Sequence, residues 1–161
     1  MEQKPVVNFK NIEINGRTFI LKKMDARTGS YILFTKIIKF LPAILENLDF
    51  DKLDFDNFTL GNLSDLNLTK IFEPIFNLPE NDFRYIQDNC LKAVSESLPA
   101  GPQPILNKNG EWGIADIEFD MSLVMNLTVQ SLWFSLEGFF VGLPFNSIMK
   151  NVSSFQQNAK I

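Results

Sequence analysis

The sequence predicts an α+β fold that is predominantly α-helical, in which an N-terminal β-hairpin and a short second hairpin pack on about four helices. Residues 6–22 alternate apolar and polar side chains around an Asn-Gly dipeptide. Several later segments repeat apolar residues at helical spacing, and a second Asn-Gly lies in a Pro- and Gly-rich stretch. A chain of 161 residues is expected to form one globular domain, residues 1–143, with a loosely ordered tail over 144–161.

The first hairpin is predicted at Asn15-Gly16. This dipeptide tolerates positive φ at both positions, which a type I′ turn requires. The apolar residues before and after it fall on related faces, with Lys and Arg between them: Ile12, Ile14, Phe19 and Leu21. The alternation therefore predicts two antiparallel strands joined by a tight turn.

The first two helices are predicted from their caps. Asp25 is expected to cap a helix that runs to about Leu41, where Pro42 restarts or kinks it. Ser64 or Asp65 is expected to cap a short helix over 65–77. The first of these helices has one apolar face, so it is predicted to pack on a core.

The third helix is predicted over 80–98, with Pro79 at its start. Cys90 falls on its apolar face and is interpreted as a small core residue. Residues 99–113 are predicted to form a loop, followed by a second hairpin with strands near 103–107 and 112–118.

The last helix, predicted over 121–143 with Asp120 as its cap, carries two apolar stripes. The broad stripe comprises Met121, Met125, Val129, Leu132, Trp133, Leu136, Phe139, Phe140 and Leu143. The second stripe comprises Leu123, Leu127, Phe134 and Val141. Such a helix is either central in its own domain or shares one stripe with another chain, and the sequence leaves both alternatives open. In the second alternative the second stripe is the candidate partner-binding surface.

Residues 48–58, LDFDKLDFDNF, combine four carboxylates with three phenylalanines. A calcium loop counted from Asp49 fails because Leu53 occupies the fifth position, where a ligand is required. The repeat is also too short to build a solenoid. Two interpretations remain: a linker whose phenylalanines pack on the core, or an acidic-aromatic strip that binds a partner through Phe50, Phe55 and Phe58.

Composition argues against most catalytic classes. The chain has no histidine, one cysteine and a net charge of −4, and it contains no glycine-rich phosphate-binding motif. We therefore expect no enzyme, no metal and no cofactor. The front of the chain is mildly basic, but no nucleic-acid-binding module is recognisable. The N-terminus has no apolar leader segment, and polar residues interrupt the last helix, so a cytoplasmic protein without a membrane span is expected.

The order of these pieces resembles the tail assembly chaperone family of long-tailed bacteriophages. The similarity covers roughly residues 8–141. Its motifs are the helix entry "D-A-x-x-G", the helix "F-x-x-x-x-x-x-C-L", the Asn-Gly turn and the last helix "L-x-F-x-L-x-x-F-F". They correspond here to Asp25, Ala26 and Gly29; Phe83, Cys90 and Leu91; Asn109 and Gly110; and Leu132, Phe134, Leu136, Phe139 and Phe140. Ser135 stands where the family often has Asn, and no motif of the resemblance is recognised after Val141.

The resemblance implies a non-enzymatic chaperone of the bacterial host cytoplasm. Its expected partners are the tape measure protein, which it would bind and keep soluble, and the tail tube protein, whose subunits it would recruit. No nucleic acid or membrane is expected, and a homo-oligomer is left open. The alternative function is a structural tail protein, a tube or connector subunit that is retained in the virion.

Overall fold

The structure is a computed structural model that describes residues 7–40 and 77–142. Four strands in these ranges form one antiparallel sheet in the order β1-β2-β3-β4. The strands are β1 (Phe9–Ile14), β2 (Arg17–Lys22), β3 (Val94–Leu98) and β4 (Gly101–Pro104). Asn15 and Gly16 have φ of 51° and 75°, so the predicted first hairpin and its turn are confirmed.

Three α-helices lie in the described residues: α1 (Ala26–Ile32), α2 (Glu80–Lys92) and α3 (Met121–Gly142). A π-helical turn, Leu33–Ile37, and a 3-10 turn, Ile38–Phe40, continue α1. A further 3-10 turn, Ile117–Phe119, precedes α3. The Asp25 side chain accepts hydrogen bonds from the backbone N–H groups of Arg27 and Thr28, which confirms the predicted cap of α1.

The prediction of a predominantly helical protein with about four helices is wrong. The described residues contain three α-helices and a four-stranded sheet. The two hairpins do not pack separately, because β2 pairs with β3 and joins them, with Leu21 opposite Val94 and Phe19 opposite Glu96. The predicted helix 65–77, apart from its last residue, and the predicted tail 144–161 lie outside the described residues.

The predicted helix 80–98 ends early, at Lys92, and its last residues form β3. The segment Val-Ser-Glu-Ser-Leu alternates inward and outward side chains, and Val94 and Glu96 are buried. The spacing from Val94 to Leu98 also fits a helical face, which is why the sequence pattern favoured a helix. The segment forms a strand because it pairs with β2, and because valine and serine favour a helix only weakly.

The second hairpin lies earlier than predicted. Its strands are β3 and β4, whereas the Asn109-Gly110 turn closes only an isolated bridge between Leu106 and Trp112. Gly110 has φ of 87°, so the dipeptide does form a turn. No strand extends over 112–118, and the 3-10 turn Ile117–Phe119 occupies its end.

Among the described residues, two hydrophobic clusters form the core, and α3 contributes to both. The first lies between the buried face of the sheet and α3 and includes Phe19, Leu21, Val94, Ile105, Ile117, Leu123, Leu127 and Phe134. The second joins α1, α2 and α3 and includes Ile32, Leu33, Ile86, Cys90 and Leu136. Cys90 is fully buried, as predicted, and burial raises the pKa of its thiol.

An ion-pair cluster fastens the sheet to the loop before α3. The Arg17 guanidinium donates to both carboxylate oxygens of the buried Glu96, at 2.7 Å each, and to Asp116 at 2.8 Å. The hydrogen bond to Glu96 is the main reason that the pKa of Arg17 is raised above its ordinary value. Arg17 therefore neutralises a carboxylate on the core face of β3.

Leu127 provides a direct test of the core. Its side chain is 0% exposed on α3, so Leu127→Ala is expected to lower the free energy of unfolding by about 3 kcal/mol, because it leaves a cavity without disturbing the helix. Met121→Ala, on the same helix but 80% exposed, is the control and is expected to change it by less than about 0.5 kcal/mol. Denaturant unfolding followed by circular dichroism measures both values. Equal, small effects would contradict the assignment of Leu127 to the core.

Candidate partner-binding groove

An apolar groove of about 950 Å³ runs along α3. Met121, Val124, Met125, Val129 and Leu132 of α3 line one side. The remaining apolar lining comes from the turns after α1, from α2 and its approach, and from the loop before α3: Ile37, Phe40, Leu78, Phe83, Ile86, Trp112 and Phe119. Glu118 is the one charged residue among the described residues that line it. This groove has the character of a surface that binds apolar side chains.

The π-helical turn after α1 contributes to one end of the groove. The Ile38 N–H donates to the Leu33 carbonyl, five residues back, and the widened turn is followed at once by the 3-10 turn. Ile37 and Phe40 come from these two turns. Such single π-turns occur often at functional sites, because they redirect side chains that a regular helix would place elsewhere.

A salt bridge couples this turn to α2. The Lys36 ammonium donates to Asp82 at 2.7 Å, and this hydrogen bond is the main cause of the raised pKa of Lys36. Lys36 also lies 5.5 Å from the centre of the Tyr31 ring. The contact holds Ile37 in register with the first turns of α2, where Phe83 and Ile86 line the groove.

Two large apolar side chains stand exposed at the mouth of the groove. Phe119 is 86% exposed and Met121 is 80% exposed. Between them, Asp120 caps α3: its carboxylate accepts from the Leu123 N–H at 2.9 Å. The cap fixes the backbone at this end of α3, and both neighbouring side chains line the groove. Exposed apolar groups next to an apolar groove are typical of interaction sites, and methionine adapts readily to different partners.

Three residues of the second stripe of α3 lie in the core. Leu123, Leu127 and Phe134 are buried against the sheet, and none of them lines the groove. These three side chains therefore pack in the protein's own core in this structure, which is the first of the two alternatives that the sequence left open. The side chain of Val141, and Phe50, Phe55 and Phe58, lie outside the described residues.

The groove is built instead from the broad stripe. Met121, Met125, Val129 and Leu132 follow one another at helical spacing and all line it. The broad stripe was recognised in the sequence, but the second stripe was named as the candidate partner-binding surface. Asn126, which borders the groove, accepts a hydrogen bond from the Gln130 side chain at 2.8 Å.

The fold is an α+β domain with an apolar groove between helices, a type of surface on which amphipathic helices dock in other proteins. A family model described as phage tail assembly chaperone protein, TAC, matches residues 15–146. The chain therefore belongs to the phage tail assembly chaperone protein family, which confirms the resemblance in its sequence. Searches of curated proteins and of solved structures each found no match. Across the described ranges, no helix has the length and apolarity to cross a bilayer.

The salt bridge between Lys36 and Asp82 is expected to make the stability of the protein depend on pH. Because the pKa of Lys36 is raised in the folded state, the bridge contributes stability at neutral pH and loses it as the pH rises through that raised value. Lys36→Gln is expected to be slightly less stable than the wild type at neutral pH, and this gap is expected to close at alkaline pH. Urea unfolding across the pH range measures it. Lys39→Gln, which removes the same charge nearby and leaves the bridge in place, is the control. A gap for Lys36→Gln that does not change with pH would refute the role of the bridge.

Proposed function

We propose that this protein is a bacteriophage tail assembly chaperone that binds the tape measure protein and keeps it soluble. The observation that carries the proposal is the apolar groove along α3, open at Phe119 and Met121, in a member of this family. The role is non-enzymatic and belongs to the host cytoplasm during assembly.

The shape and chemistry of the groove suit an amphipathic helix. A helix presents apolar side chains at i, i+3, i+4 and i+7, and a groove of about 950 Å³ has room for a few such side chains from two or three turns. Met121 and Met125 can repack around different side chains, so one groove can accept many segments of a long helical partner.

A contact of this size is modest, which suits a protein that must later be displaced. Several copies would cover a tape measure protein along its length, and each would dissociate as the tail tube polymerises. We propose that tube subunits are recruited by a surface outside the groove, because the groove itself is occupied by the tape measure protein. The chaperone would then be missing from the finished particle.

Co-expression with the tape measure protein of the same phage tests the proposal. Wild-type chain is expected to keep the tape measure protein soluble and to co-purify with it. Phe119→Asp with Met121→Asp is expected to reduce the affinity about tenfold or more, because carboxylates at the mouth resist desolvation by an apolar helix. Both positions are exposed and lie at the start of α3, where acidic residues favour the helix dipole, so folding should be preserved.

Leu98→Asp is the matched control, since it replaces an exposed apolar residue in β3, away from the groove. It is expected to bind like the wild type. Circular dichroism confirms that all variants are folded. If the tape measure protein stays insoluble with the wild-type chain, or if purified virions retain this chain as a structural component, the proposed function is wrong. If binding occurs and the double variant binds as well as the control, the groove is not the site.

A further inference from the structure

The two outer edges of the sheet differ in what they offer to another strand. In an antiparallel pair, alternate residues direct their backbone N–H and C=O toward the neighbouring strand, and those between direct them outward. At β4, the Ile105 N–H donates to the Val94 carbonyl, so Gln103 and Gly101 also face β3 by alternation. The residues whose nitrogens point outward are therefore Pro102 and Pro104. Proline has no N–H, so β4 cannot donate hydrogen bonds to a further strand from these positions.

The β1 edge has no such block. The Lys23 N–H donates to the Asn8 carbonyl at 2.9 Å, so Asn8, and by alternation Lys10, Ile12 and Ile14, face β2. The backbone groups of the other residues, Phe9, Asn11 and Glu13, point outward. Within 7–40 and 77–142 no strand pairs with this edge. The start of the strand is also apolar and open, with Val7 59% and Phe9 58% exposed.

We propose that a second copy of this chain docks on β1, antiparallel to it, about a two-fold axis at Asn11. This register pairs all three outward-facing residues with one another: Asn11 with Asn11 of the other copy, and Phe9 with Glu13 in both directions. With a two-fold axis perpendicular to the sheet, the exposed faces of the two copies lie on the same side of the joined sheet. A symmetric antiparallel strand pair requires this arrangement. The two sheets become one continuous sheet.

The second copy fits this edge better than a chain of copies does. Head-to-tail growth would pair β1 of one copy with β4 of the next, and the outward-facing prolines of β4 oppose that pairing. Association through β1, the open edge of the sheet that the described residues form, is therefore isologous and closes at the dimer. The proposal concerns the chain alone, so it stands or falls independently of the proposed function.

Light scattering coupled to gel filtration of the full chain, over a range of concentrations, tests the dimer. The wild type is expected to approach a mass of twice the 18.4 kDa of one chain. Asn11→Lys and Asn11→Asp each place like charges face to face at the axis, so each variant alone is expected to be monomeric. Mixing the two variants is expected to restore the dimer, because the charges at the axis are then opposite.

Ser97→Lys is the matched control, since it adds the same charge to the exposed face of a central strand, and it is expected to remain dimeric. Circular dichroism establishes that each variant is folded. A wild type of single-chain mass at every concentration would overturn the proposal. A dimer that survives both Asn11 variants would also overturn it, as would a mixture of the two that stays monomeric, or an extended partner segment found on β1 of a monomeric chain.

Discussion

The packing of α3 into two cores at once is the constraint on which the rest of the structure depends. Leu127 and its neighbours pack against the sheet, whereas Leu136 packs against α1 and α2. Small residues let the other elements approach closely: the Ser131 hydroxyl donates to the Cys90 carbonyl at 2.9 Å, and the Met24 N–H donates to the Ser135 hydroxyl at 3.1 Å. The position of α3 therefore determines how the sheet and the other helices are arranged relative to each other. The groove lies along the part of the α3 surface that these elements do not cover.

The features predictable from sequence were those with a local cause. The Asn15-Gly16 turn and the Asp25 cap are determined by residues next to them, and both were predicted correctly. Val94–Leu98 was mistaken for helix because its spacing fits both periods, and the deciding contact is with β2, far away in the chain. The groove was missed for a related reason: it needs the turns after α1, the α2 residues and α3 together, and no single segment reveals which stripe of α3 the sheet will cover.

Under the two proposals, the groove and the β1 edge are surfaces with different purposes. The groove is apolar and adaptable, as a surface that accepts many helical segments must be. The edge consists of backbone groups with a fixed spacing, which favours one partner in one register. A two-fold axis perpendicular to the sheet would place both copies of α3 on the same side. The dimer would then offer two grooves to one long helix, and its affinity would exceed that of a single groove.

The central claim, that the open part of α3 receives a partner helix while its other face is core, can be tested with methyl NMR of the methionines. Of the five methionines, Met121 and Met125 line the groove, and Met24 packs against the second core cluster. Titration of the full chain with a soluble tape measure fragment is predicted to shift the methyl signals of Met121 and Met125 and to leave that of Met24 in place. Saturable binding with the two groove signals unchanged would contradict the claim.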